Sequence, residues 1–168
     1  GLEYLQRQRG ADPRDLSCEM AGLVERLIHP VARVPEGRVL ARSGACTSMI
    51  DLSDGLASDL RRICEESHVG AEVVLTSVPV DETVVQVAER WGRAPSDYAL
   101  YGGEDYELLF TLASDRVAEL RRIWVGISVG FTPVGGLVPE ENGITLLLPD
   151  RTRVHMPEGG HDHFRDGL

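Results

Sequence analysis

The chain has 168 residues, 42% of them apolar and 26% charged, a composition typical of one globular domain rather than of a disordered chain. Lys and Arg number 17 against 27 Asp and Glu, and the formal net charge of −10 disfavours a surface for nucleic acid or anionic membrane. Three cysteines without zinc-site spacing fit a reducing cytoplasm, and no apolar run approaches the ~18 residues of a membrane span or forms a signal peptide.

The first elements are a polar segment and a helix. Residues 1–16 are rich in arginine and are interrupted by Gly10 and Pro13, so they are predicted to be a linker or the tail of an upstream element. Because the first residue is Gly1 rather than Met, we expect an engineered chain, a processed chain or a fragment cut from something longer. A helix capped by Ser17 is predicted to run to about His29, where Pro30 stops it.

The next elements surround the stretch from Ser48 to Leu56. After a possible short strand at Val39–Ala41, the residues from Cys46 to Leu52 alternate as a strand does, with Asp51 near its end. From Leu56 the apolar spacing becomes helical. The sequence therefore predicts a strand that gives way to a helix within about three residues.

Ser53 and Asp54 fall where that helix needs a cap. The first N–H groups of a helix attract phosphate oxygens, and the carboxylates of Asp51 and Asp54 are hard oxygen ligands that suit Mg2+. The residues by themselves leave two interpretations open. One is an ordinary N-cap with a spare acid, and the other is a site for a phosphate and its metal ion.

A second motif surrounds the pair Gly102-Gly103. The two glycines place Glu104 and Asp105 at the entrance to a strand predicted from Tyr106 to Thr111. Two acids there can bind a cationic or metal-bound group, and solvated acids at a turn are the alternative.

The other predicted elements, in order, are a strand at Ala71–Thr76, a helix opened by Pro79 and Asp81, a loop at Gly92–Asp97, a helix from Val117 to Trp124, two short strands within Ile127–Val138, and a hairpin of Ile144–Leu148 with Arg153–His155.

Three stretches together carry a family resemblance. They are SMIDLSDGL at residues 48–56, YGGEDYELLF at residues 101–110 and GHDHF at residues 160–164. In order and spacing they resemble the C-terminal domain of thiamine-monophosphate kinase, which belongs with aminoimidazole ribonucleotide synthetase in one superfamily. The resemblance implies an α+β fold, a layered α/β/α sandwich that is partly ferredoxin-like, with residues 17–168 forming the ATP- and substrate-binding domain.

The resemblance also implies roles for single residues. Asp51 and Asp54 look like the residues that hold Mg2+, and Ser53 looks like the contact to ATP. Glu104 and Phe164 look like the substrate contacts, since a carboxylate suits the cationic thiamine and an aromatic face suits its rings. No residue is expected to act as a covalent catalyst. His161 stands where the family usually has an aromatic residue, and a metal pair of His161 with His163 is not favoured without a third ligand.

The activity implied is transfer of the γ-phosphoryl group of ATP to thiamine monophosphate, giving thiamine diphosphate, in a cytoplasmic enzyme. The full-length protein is expected to be a homodimer through an N-terminal domain that this sequence does not include, and the 168 residues alone are expected to be inactive. Two alternatives stay open. One is a stand-alone module that binds a nucleotide or a thiamine phosphate, and the other is a superfamily sibling acting on another small molecule.

Overall fold

The computed structural model describes residues 18–157 together with Glu3 and Gly159. Within them the helices are α1 Cys18–Ile28, α2 Val34–Ser43, α3 Leu56–Ser67, α4 Glu82–Arg90, α5 Pro95–Tyr101 and α6 Val117–Ile123. The strands are β1 Cys46–Asp51, β2 Val69–Val74, β3 Leu108–Leu112, β4 Gly135–Pro139, β5 Ile144–Leu147 and β6 Arg153–His155. The predicted α+β class is confirmed. No helix in this part of the chain is long and apolar enough to cross a membrane.

The strands lie in two sheets. β1 and β3 pair antiparallel by themselves, with Asp51 opposite Leu108 at one end of the register. The other four strands form a mixed sheet in the order β4-β2-β5-β6, in which only the β2–β5 pair is parallel. The two predicted motifs are therefore brought together by the small sheet, because β1 ends where β3 begins.

The apolar core forms between α3 and the larger sheet. The helix contributes Leu56, Leu60 and Cys64, which follow the predicted stripe. The remaining buried members of the cluster come from α3, β2, α5, β5 and the residue after β6, namely Ala57, Ala71, Val73, Leu100, Leu146 and Met156. Since α3 begins at Leu56, the last residue of the Ser48–Leu56 motif, its packing fixes the position of that motif.

The segment Val39–Ala41 is helical, so the predicted short strand is wrong. It lies within α2, which has Pro35 in its first turn and is followed by Gly44 in the left-handed conformation with φ 63°. Proline at the start and glycine just past the end are typical of a helix. The three apolar residues were too short a run for their periodicity to distinguish a strand from a helix.

Two further predictions need correction. Residues Gly92–Asp97 are not all loop, because α5 begins at Pro95. Of the two strands predicted within Ile127–Val138, only β4 is present, and the residues before it are irregular. The helix opened by Asp81 is confirmed, since its side chain accepts from the N–H of Thr83 at 2.9 Å. The predicted hairpin is confirmed as β5 and β6.

Candidate active site

The loop after β1 and the loop before β3 are joined by main-chain hydrogen bonds. The N–H of Leu52 donates to the carbonyl of Glu107 at 2.8 Å, and the N–H of Tyr106 donates to the carbonyl of Leu52 at 2.8 Å. One step further on, the N–H of Glu104 donates to the carbonyl of Ser53 at 2.7 Å. The pairing of the two strands thus continues into the loops and places Ser53 beside Glu104, 51 positions later in the sequence.

Glycine is required on both sides of this junction. Gly55 has φ 98°, and a Cβ atom there would lie 2.8 Å from the carbonyl oxygen of Gly102. A Cβ atom on Gly103 would lie 2.7 Å from the carbonyl oxygen of Ser53. Real Cβ atoms do not approach backbone oxygens so closely, so both loops would have to move apart if either glycine carried a side chain.

The loop that carries Glu104 has an unusual backbone. Glu104 and Tyr106 have φ values of 67° and 50°, in the left-handed region that side chains other than glycine rarely adopt. Such conformations cost of order 1 kcal/mol each and persist where surrounding contacts impose them. Here the two residues with positive φ are the same two whose N–H groups donate to Ser53 and Leu52. The junction with the first loop therefore holds the Glu104 loop in a fixed, strained conformation.

Asp59 organises the first loop, although the sequence reasoning missed it. Its side chain is completely buried, and Oδ2 accepts from the N–H groups of Ser53 and Asp54, at 3.0 Å each. Burial raises the pKa of the carboxyl, while the N–H group of Asp54 lowers it. The available signal was an acid within the apolar stripe of α3, between Leu56 and Leu60.

The expected capping of α3 by Ser53 or Asp54 is wrong. The N-cap is Gly55, and it makes no side-chain hydrogen bond to the helix. Asp59, in the first turn, instead reaches back to the N–H groups of Ser53 and Asp54, which precede the helix. Those N–H groups are thereby committed to a protein carboxylate, and the hydroxyl of Ser53 takes part in neither of these two hydrogen bonds.

Arg62 connects the two acids of this region. Its Nη1 group donates to Oδ1 of Asp59 at 2.8 Å, and its Nη2 group donates to Oδ2 of Asp54. The hydrogen bond to Asp54 is the largest cause of a raised pKa for the Arg62 guanidinium. A half-exposed arginine thus bridges a buried carboxylate and the carboxylate of Asp54, whose side chain is 16% exposed.

The carboxylates of Asp51 and Asp54 are oxygen donors of the kind that a divalent metal ion prefers. Asp51 ends β1 on its exposed face, in line with Met49 as predicted, and Asp54 lies three residues later. Mg2+ is commonly held through one or two carboxylates, with phosphate oxygens and waters completing its shell. Among the described residues, no group of three or more His, Cys, Asp or Glu is placed to form a closed metal site. Two carboxylates alone suit Mg2+ bound to a polyphosphate.

Acids and an arginine flank the Glu104 loop. Arg33, just before α2, donates from Nε and Nη2 to the two carboxylate oxygens of Glu107 at 2.9 and 2.6 Å. Asp105 keeps a solvent-accessible surface, yet desolvation by the protein atoms around it, with a smaller effect of the Glu107 charge, raises its pKa to about 6. Asp105 is therefore a carboxyl of this loop whose charge changes at a pH of about 6.

An open cavity of about 410 Å³ lies beside the glycine pair, lined by Arg93, Asp97, Tyr98, Tyr101 and Gly102. Its volume lies within the range of small-molecule sites. Of the residues that the structure describes, the lining does not include Asp51, Ser53, Asp54 or Glu104. The cavity thus adjoins the junction without containing it. Phe164, His161 and His163 lie outside the described residues.

Comparisons with known proteins show which family the chain resembles. Residues 4–138 match the model of a family described as AIR synthase related protein, C-terminal domain. The thiamine-monophosphate kinase of Escherichia coli (strain K12) is 34% identical over 175 residues, covering 98% of this chain and 48% of that protein. The thiamine-monophosphate kinase of Buchnera aphidicola is 32% identical over 142 residues, covering 84% of this chain and 42% of that protein.

A solved structure described as "AaThiL complexed with AMPPCP and TMP" has a TM-score of 0.77 and 26% identity to this chain. The match covers 97% of this chain and 46% of that one. The chain therefore spans less than half the length of the relatives and of the solved structure that it matches.

Proposed function

Because the chain belongs to the family of AIR synthase related proteins, C-terminal domain, we propose that it is the ATP- and substrate-binding half of a thiamine-monophosphate kinase. The proposed reaction transfers the γ-phosphoryl group of ATP to the phosphate of thiamine monophosphate and releases thiamine diphosphate and ADP. The names of the curated relatives favour this reaction over that of a superfamily sibling. The observation that carries the proposal is the hydrogen bond from Glu104 to Ser53, which joins the loop assigned to the nucleotide to the loop assigned to the substrate.

Each loop has a proposed role. Asp51 and Asp54 hold Mg2+, and the Ser53 hydroxyl contacts ATP. Glu104 contacts the cationic thiamine, and Phe164 covers one of its rings. Bound Mg2+ would supply positive charge against the phosphate oxygens. Since phosphoryl transfer can be catalysed by alignment and charge neutralisation, no residue of this chain needs to form a covalent intermediate.

The glycine-dependent junction supports the aligning role. In-line transfer requires the attacking phosphate and the γ-phosphate to meet at a fixed distance. The loops of Ser53 and Glu104 are held together by backbone contacts and by glycines that permit the close approach. Two ligands bound to these loops would therefore stay at a constant distance from each other. Holding that distance is the role that we propose for the junction.

The metal role is tested with Asp54→Asn in the full-length enzyme. We expect Mg2+-dependent formation of thiamine diphosphate to fall about 100-fold, the usual cost of losing one electrostatic stabiliser of the transition state. Glu65→Gln, which removes an exposed acid from the same part of the fold, is the control and should leave turnover unchanged. Turnover near the wild-type rate in Asp54→Asn would show that this carboxylate does not hold the metal.

The substrate role is tested with Glu104→Gln. The amide keeps the size of the side chain but removes the charge that would face the thiamine cation. We expect KM for thiamine monophosphate to rise about tenfold while KM for ATP stays constant, since only one ligand is cationic. Equal effects on both KM values would mean that Glu104 acts on the junction and not on the substrate.

We also propose that the domain of residues 17–168 works with a second domain, to which residues 1–16 connect it. The support is the share of each relative that the chain matches, which is less than half. A homodimer formed through that second domain and a cytoplasmic location follow the family resemblance. Calorimetry with Mg-ATP, on this chain and on the full-length protein, tests the division of labour. Weak binding to the chain alone, with tight binding to the full protein, is the expected result.

A further inference from the structure

Arg62 occupies a position that bears on how the metal ion reaches its ligands. It lies three residues after Asp59 on α3, and its guanidinium contacts two carboxylates through different nitrogen atoms. The Asp59 side chain is fully buried and the Asp54 side chain is 16% exposed, whereas the Arg62 side chain is 50% exposed. Arg62 is therefore anchored at Asp59 and pairs at its outer end with a carboxylate assigned to Mg2+.

The charges around Arg62 explain this placement. Asp54, Asp59 and Asp51 all stabilise the charged guanidinium, with the hydrogen bond to Asp54 having the largest effect. Without a cation in their midst, these carboxylates would repel one another. Arg62 supplies that positive charge from within the chain. It also helps to hold Asp54 in place by a charge-assisted hydrogen bond.

We propose that Arg62 is an internal counter-ion that competes with the divalent cation for the Asp54 carboxylate. The inference rests on the proposed function, since it assumes that Asp54 is a metal ligand. Nη2 of Arg62 donates to Oδ2 of Asp54, the oxygen that faces the guanidinium. A divalent ion at Oδ2 would have to replace Nη2, and an ion at the other oxygen would lie within a few ångströms of a fixed positive charge. In either case the cation binds more tightly once Arg62 has released Asp54.

The contacts of Arg62 with Asp54 and Asp59 keep the loop ordered while no metal ion is bound. Nη1 can remain on Asp59 while Nη2 leaves Asp54, because the two nitrogens have separate partners. Asp59 in turn keeps its bonds to the N–H groups of Ser53 and Asp54. The Arg62 contact orders the metal-free loop but lowers its affinity for a free divalent cation. The proposed enzyme would therefore bind its metal ion mainly as a complex with the nucleotide.

The test is a titration with Mn2+, which is visible by electron paramagnetic resonance, on the wild-type chain and on Arg62→Gln. We expect Arg62→Gln to bind Mn2+ about fivefold more tightly, the ratio that corresponds to about 1 kcal/mol for a partly exposed ion pair. Arg62→Lys should lie between the two, since an ammonium cannot bridge both carboxylates as a guanidinium does. Arg90→Gln, an exposed arginine on α4, controls for net charge and should leave the affinity unchanged.

Asp54→Asn in the same titration separates the two claims. If Asp54→Asn weakens Mn2+ binding while Arg62→Gln leaves it unchanged or weakens it, the counter-ion role is overturned and the metal assignment stands. If Asp54→Asn binds Mn2+ as the wild type does, the metal assignment is wrong and the counter-ion role falls with it. Circular dichroism checks the fold of each variant. Should Arg62→Gln fail to fold, Arg62→Lys decides, and an affinity no tighter than that of the wild type overturns the inference.

Discussion

Replacement of Asp59 tests what holds the loop of Ser53 and Asp54. The carboxylate is fully buried, and one of its oxygens accepts both loop N–H groups while the other accepts from Arg62. Asp59→Ala removes all three hydrogen bonds and leaves two N–H groups without their acceptor. Asp59→Asn keeps one acceptor oxygen for both N–H groups and loses the bond from the half-exposed arginine, which water can satisfy.

The two variants should therefore differ in their free energies of unfolding. Asp59→Ala leaves two N–H groups without an acceptor, at about 1 kcal/mol each, and loses a charge-assisted hydrogen bond of about 2 kcal/mol. Part of this cost is offset because the variant has no carboxylate to desolvate on folding. We expect Asp59→Ala to lower the free energy of unfolding by about 3 kcal/mol. Asp59→Asn loses the charge-assisted hydrogen bond from Arg62 but also avoids the cost of burying a charge. We therefore expect its free energy of unfolding to fall by only about 1 kcal/mol.

Urea denaturation at pH 7 measures both values, and a constant slope of the free energy against urea would show that the same structure unfolds. Hydrogen exchange adds a local measurement, since the amides of Ser53 and Asp54 should lose protection in Asp59→Ala and keep it in Asp59→Asn. Glu65→Gln, on the exposed face of α3, should change stability by less than about 0.5 kcal/mol. Equal losses in the two Asp59 variants would refute the reasoning, because charge and not acceptor geometry would then hold the loop.

Three further predictions concern the junction and its surroundings. Gly103→Ala should lower the free energy of unfolding by about 2 kcal/mol, because the new Cβ would lie 2.7 Å from the carbonyl oxygen of Ser53. The control is Gly92→Ala, where φ is positive but the surrounding space is open, and it should lower the free energy of unfolding by about 1 kcal/mol. Urea denaturation of both variants measures the difference. Asp105 has its pKa raised to about 6 from the ordinary 3.8, so the folded state binds more protons between these values and stability falls as pH rises through them. Asp105→Asn should therefore stabilise the protein in denaturation at pH 7.5 and lose that advantage at pH 4, and a stabilisation independent of pH would contradict this reasoning. The bidentate ion pair between Arg33 and Glu107 should give a coupling energy of about 1 kcal/mol in a double-mutant cycle with Arg33→Gln and Glu107→Gln. A coupling energy of zero would mean that water screens the pair.

Local patterns predicted most of the elements around the site. The alternation of β1 and the helical stripe of α3 appear where expected, because each depends on side chains only a few positions apart. The errors fell where a local signal was short or ambiguous. Val39–Ala41 is part of α2, and the Pro35 and Gly44 that mark its ends indicate this better than three apolar residues did.

The residues assigned to the site were chosen from their chemistry and from the family resemblance. The sequence alone determined that Asp51 lies near the end of a strand, that Ser53 and Asp54 lie between that strand and a helix, and that Glu104 follows a glycine pair. It also contained a sign of Asp59, which is an acid on the apolar stripe of the helix. These features are local, so they can be found without any knowledge of the fold.

The tertiary structure decided which of these residues meet. The antiparallel register of β1 and β3 places Ser53 beside Glu104, and that register depends on residues more than fifty positions apart. The packing of α3 on the larger sheet buries Asp59 beneath the loop, where its carboxylate accepts from the N–H groups of Ser53 and Asp54 just before the helix. The same packing gives Asp54 an arginine partner. Long-range pairing and burial are properties of the whole fold, and they make the Asp59 carboxylate a structural acceptor.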